Sequence, residues 1–162
     1  MKYAVSCLLF VSSLGLAQTP MVSFDELRAR YKAHNDWATL EYVFVRCAAL
    51  HSIMSAFATN AGQDTAANAY ANAGAMSIEF ALVMHKLKLQ ERGLERNAQD
   101  VTRGITETTS DIALEYNQLL RKNMARTGNY FDGNEQVKSE LPLCNDPARL
   151  FTWMGAEIPQ RR

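Results

Sequence analysis

Two of the three histidines, two cysteines and a few carboxylates are the residues here whose types and spacing could support chemistry. His51 falls within an apolar stretch over 36–59, with Met54 about one turn further on, and Met84 and His85 stand side by side in a later stretch. Imidazole and thioether together are ligands that copper accepts. Adjacent residues on a helix point about 100° apart, however, so Met84 and His85 cannot both face His51. Methionine at core spacing is usually gap filler. The pattern favours a core histidine hydrogen-bonded to a polar neighbour. Glu79 and Glu115 lie beside apolar stripes, so His51, Glu115 and Glu79 form the candidate buried polar site. Glu41, flanking Trp37 and Phe44, is a third carboxylate of this kind. A half-buried carboxylate beside a histidine can do acid–base work, but at a helix edge it more often pairs with a cation such as Arg46, Lys86 or Arg121.

The stronger signatures of chemistry are missing. The sequence contains no Cys-x-x-Cys-His for covalent haem, and neither His51 nor His85 has the carboxylate three residues earlier that a di-iron bundle uses. His-Glu-x-x-His, the phosphate-binding glycine loop and the Gly-x-Ser-x-Gly elbow are also absent. Glu107, Asp111 and Glu115 make an acidic line at i+4 spacing, the pattern of a solvated helix face. The reading therefore assigns no catalytic residue, no metal site and no cofactor.

The elements that would hold these residues are helical. Over 36–59, Trp37, Leu40, Val43, Phe44, Cys47, Leu50, His51, Met54 and Phe57 recur on one broad face. Ser23 and Glu26 form a capping box that starts a helix near Phe24, and Asp36 offers a fresh cap, predicting a kink or two helices end to end near 34–36. A second long helix is expected over 65–91, closed by Gly93, and a third over 96–127, closed by Gly128. The second carries two apolar stripes. One holds Met76, Phe80, Val83 and Met84; the other holds Ile78, Leu82 and Leu89, with His85 at its edge. A helix apolar on two sides must be covered on two sides. Ile78, Leu82 and Leu89 are thus a candidate interface for a protein partner or a homodimer, unless the C-terminal segment covers them. Residues 128–162 read as irregular, with turns and prolines, except for a short helix over 148–154 after the Asp146-Pro147 cap. The expected fold is all-α: a bundle of three long antiparallel helices plus a short C-terminal helix strapped on by a disulfide.

The strap follows from the destination. Lys2 and the apolar run over 3–16, ending in Gly15-Leu16-Ala17, read as a signal peptide over 1–17 cleaved after Ala17. A single domain would remain over 18–162, with two cysteines, Cys47 and Cys144. In an oxidising compartment these most simply form one disulfide. It would close a loop of about 97 residues, worth roughly 4–5 kcal/mol in the chain-entropy model. With no N-x-Ser/Thr sequon and a very short n-region, the reading is a bacterial periplasmic or secreted protein. Lys plus Arg equals Asp plus Glu at 17 each, which removes the charge that would draw a nucleic acid or acidic membrane. No uncharged stretch after the signal reaches transmembrane length. The function expected is an exported, non-enzymatic binding or interaction module. The alternative is a metal- or cofactor-binding bundle centred on His51.

Overall fold

The structure is a computed structural model that describes residues 21–158, so the signal peptide expected over 1–17 and its expected cleavage after Ala17 lie outside the described residues. Six helices follow in order: α1 Phe24–His34, α2 Trp37–Asn60, α3 Asp64–Glu91, α4 Ala98–Thr127, α5 Glu135–Cys144 and α6 Pro147–Met154. No strand occurs among the described residues, and the fold is all-α. The capping box forms, with Glu26 N–H donating to Ser23 Oγ at 3.2 Å and Ser23 N–H to Glu26 Oε2 at 2.9 Å. The expected break is a full one. Asn35 turns left-handed at φ 48°, and Asp36 caps a separate helix through Thr39 N–H at 2.8 Å.

Helix α2 is the axis of the molecule. Every residue from 43 to 51 is buried, so the helix is covered all round rather than on one face. It is long and apolar enough to cross a membrane, at a mean hydropathy of 1.3, but most of that stretch lies inside the bundle. Such a composition suits a core helix equally well. Helix α3 runs back along it. His85 meets Glu41 near the start of α2, Phe80 stacks on Phe44 at 5.0 Å, and Ser55 near its end reaches the Ala67 carbonyl. Gly74 lets the two helices approach: a Cβ there would sit 3.4 Å from His51 Cβ. Helix α4 returns parallel to α2, with Tyr116 beside Arg46 and the following Tyr130 ring 4.7 Å from Phe57.

The segment after Gly128 is more ordered than the sequence reading allowed. Helix α5 fills part of the stretch expected to be irregular. Asn134 caps it through Val137 N–H, and Val137, Glu140, Leu143 and Cys144 are buried at helical spacing. Pro142 lies inside the last turn. Its missing N–H removes one backbone bond there without ending the helix. The expected disulfide is present between Cys47 and Cys144, with Cα atoms 5.1 Å apart. Beyond it, α6 lies over the α2–α3 seam. Phe151 packs 5.1 Å from Phe44 and 5.5 Å from Phe80, and Trp153 packs 6.3 Å from Phe24 of α1.

Beside the disulfide sits a fully buried arginine. Arg46 donates from Nε and Nη2 to the Tyr116 hydroxyl, from Nη2 to Glu140 Oε1 at 2.5 Å, and from Nη1 to the Val22 carbonyl. Its guanidinium also lies 4.8 Å from the centre of the Phe24 ring. Burial disfavours the arginine charge, but Tyr116 and Glu140 more than offset this and hold it above its ordinary value. Burial lifts Glu140 towards protonation, against the pull of Arg46. The two tendencies conflict, and the hydrogen bonds decide between them. Tyr116 oxygen already receives two N–H groups, so its one proton goes to Glu140 Oε2, which must accept as a carboxylate. Burial and that nearby carboxylate in turn push the phenol well above its ordinary value.

Removing one member of this cluster strands a buried charge, which typically costs about 3–5 kcal/mol. Arg46→Met and Glu140→Leu should each lose about that much in urea unfolding, and the double variant far less than their sum. Additive losses would show the pair to be uncoupled. Reducing the disulfide releases the long loop and should lower stability by about 4–5 kcal/mol in the chain-entropy model. Matching unfolding curves with and without reductant would contradict that.

Candidate functional site

The residues singled out for a buried polar site do not converge. His51 is completely buried, whereas Glu79 and Glu115 are both exposed, so neither carboxylate reaches it. The α4 stripe beside Glu115 is largely buried as expected, but the buried line of α3 runs through Gly74, Ser77, Ala81 and Met84 rather than along either expected stripe, and both glutamates turn outwards. His51 Nε2 instead meets Asn145 Oδ1 at 3.0 Å, with the Tyr70 ring 6.2 Å away. Asn145 accepts through its oxygen, so Nε2 carries the proton and donates; Nδ1 has no partner. Among the described residues no three His, Cys, Asp or Glu side chains gather as a metal site. Met84 is buried on α3, but its neighbour His85 turns towards Glu41. His51 is therefore a core group tied to the strap one residue beyond Cys144.

Of the candidate interface, Ile78 and Leu82 are half-buried against the core, and Leu89 is half-buried. The tail covers Phe80 of the other stripe. Met76 and Val83 of that stripe stay open, at 46% and 42% exposure. They are the outward apolar residues of α3.

Charged side chains converge elsewhere, in a cleft of about 330 Å³ between the start of α2, the end of α3 and the start of α4. Glu41 is its hub. Oε1 accepts from His85 Nδ1 at 2.8 Å, and Oε2 accepts from Lys88 Nζ. His85 and Lys88 are three residues apart and share a face of α3. The proton on Nδ1 faces the carboxylate, and Nε2 has no partner. Val45, Val101 and Ile105 supply apolar lining, and Arg96 and Asp100 carry charge at the α4 side. A carboxylate–imidazole pair is half of a nucleophilic site. The one aliphatic hydroxyl in the lining, on Thr108, donates instead to the Gly104 carbonyl at 2.8 Å.

The sequence reading named Glu41 and His85 separately and assigned Glu41 to other cations. The register of the α2–α3 hairpin, counted back from the turn at 61–63, was the signal that could have paired them. It missed Glu140 and Tyr116 as polar partners altogether. A second concavity of about 350 Å³ lies at the start of α5. Its polar groups organise the preceding turn: Asn123 Nδ2 reaches the carbonyls of Asn129, Tyr130 and Asp132, and Arg126 binds Asn123 Oδ1.

Burial holds His51 below its ordinary value of 6.5, with the Asn145 bond opposing. Native His51 is neutral while the unfolded chain protonates near the ordinary value. Stability should be intact above that value and fall as pH drops through it towards the lowered native one, by at most about 1.4 kcal/mol per pH unit. Glu140, lifted by burial, titrates in the opposite sense, so the comparison needs a variant. Urea unfolding between about pH 7.5 and about 5.5 should show a drop in the wild type that His51→Gln lacks. Identical slopes would remove His51 as the cause.

No family model, curated protein or solved structure matches this chain, so what it does must be argued from these side chains alone.

Proposed function

We propose that this protein is an exported, non-enzymatic binding module that takes its ligand in the cleft between α2, α3 and α4. The observation that carries the reading is Gly104. It lies inside α4, where glycine costs roughly 0.5–1 kcal/mol against alanine. Its backbone is ordinary, and a Cβ built on it meets nothing within 4 Å. Neither packing nor conformation requires glycine there. What the missing side chain leaves is open space in the cleft lining.

Two further features support the reading. The bundle centre is filled by Arg46, His51, Phe44 and Phe151, leaving no room for chemistry there. The disulfide suits an oxidising compartment, in keeping with export to the periplasm or beyond. A homodimer or protein partner along α3 is the second reading, favoured by the exposure of Met76 and Val83.

Native mass spectrometry of the protein exported behind its own signal separates these readings. A small molecule bound at fixed stoichiometry to the wild type and missing from Gly104→Leu is the expected result. The substitution should leave thermal stability unchanged or raise it, since leucine is the better helix former. A bare monomer whose stability no compound raises would overturn the cleft reading. A dimer dissociated by Val83→Glu would replace it with the second.

A further inference from the structure

Resting on the reading of the cleft as a binding site, we infer that its ligand is a small organic anion: a carboxylate with an apolar body. Six titratable side chains line the cleft from its three helices: Glu41 and Tyr42 from α2, His85 and Lys88 from α3, and Arg96 and Asp100 from the α4 end. Glu41 is saturated, one oxygen by His85 and the other by Lys88, which also balances its charge. Asp100 is balanced by Arg103 at 2.5 Å on the outer side of α4. Arg96 is left over. Among the described residues it has no ion pair and no hydrogen bond. It stands just ahead of the Asn97 cap of α4, a helix of 30 residues whose dipole places further positive potential at that end.

A site with one uncompensated cation and neutralised neighbours suits one negative charge. The guanidinium fork matches the two oxygens of a carboxylate. A phosphate dianion would bring a second charge with nothing to meet it, close to Glu41 and Asp100. Val45, Val101 and Ile105 give the lining an apolar part that an inorganic ion would not use. The volume of about 330 Å³ is at the small end for ligand pockets, which limits the body to a short chain or one ring.

The test is calorimetric titration of the mature protein with hexanoate and benzoate, set against hexanamide, benzamide, hexylamine and inorganic phosphate. Carboxylates should bind at least tenfold more tightly than the amides, the amine or phosphate. Arg96→Gln should remove that margin, while Arg92→Gln, the same charge change at an exposed arginine outside the cleft, should preserve it. Gly104→Leu should abolish binding of every probe. Amides or the amine binding as tightly as carboxylates, still lost in Gly104→Leu, would overturn the anion inference and leave the cleft standing. Phosphate binding as well as the carboxylates would overturn the organic part of it. Carboxylate binding insensitive to Gly104→Leu, or no binding by any probe, would overturn the inference; the first result would also remove the cleft from the binding reading.

Discussion

A guanidinium with no access to water is the constraint around which this bundle is organised. Arg46 sits on the central helix, where its neighbours on both sides are apolar or buried, and a bare charge there would cost several kcal/mol. The chain answers with partners from three distant places: the Val22 carbonyl ahead of α1, the Tyr116 hydroxyl on α4 and the Glu140 carboxylate on α5. Each must arrive for the charge to be satisfied. The cluster therefore specifies the arrangement more than it adds net stability, since an apolar replacement of the same shape could be equally stable. The disulfide from the adjacent Cys47 holds α5 where Glu140 is needed.

That arrangement determines where open space is left. The strap closes the middle of the bundle: Phe151 fills the α2–α3 seam, and Asn145 occupies the donor of His51. The chain connecting α3 to α4 instead lets the starts of α2 and α4 stand apart, and the gap between them is lined rather than filled. The polar groups at the two places behave differently for this reason. At the centre the Arg46 cluster is matched although His51 Nδ1 has no partner, while at the cleft Arg96 is surplus and His85 Nε2 has no partner either. Surplus hydrogen-bonding capacity beside open space is what a binding site retains and a packed core removes.

What could be read from the sequence was local chemistry. The Ser23 box, the Asp36 restart, the Gly128 terminus and the Asp146-Pro147 start each depend on a few adjacent residues, and each formed. The disulfide follows from counting the cysteines that an oxidising compartment, if reached, would pair. Helix α5 is hidden in the sequence by Pro142, which reads as a break, although a proline in a last turn removes only one bond. The paired glutamates failed for a different reason. Periodicity places a residue beside a stripe but does not say which edge of that stripe meets a neighbour. Glu79 and Glu115 lie at edges that turned to solvent, and Glu41 and His85 at edges that met.

The same reasoning explains why the buried and half-buried ion pairs serve different ends. Glu140 is 94 residues from Arg46 and meets it only once the whole fold is assembled. Loss of solvation there must be repaid within the cluster, so both carboxylate oxygens are committed. Glu41 keeps some access to water, and its contacts with His85 and Lys88 lie within one hairpin. Pairs of this kind contribute little to stability, typically under about 1 kcal/mol. What Glu41 does is set the charge of its surroundings: it neutralises Lys88 and orients the imidazole, leaving Arg96 as the unbalanced charge. A carboxylate in a cleft of mixed sign can in this way select for an anion, by removing the competing cation from the account.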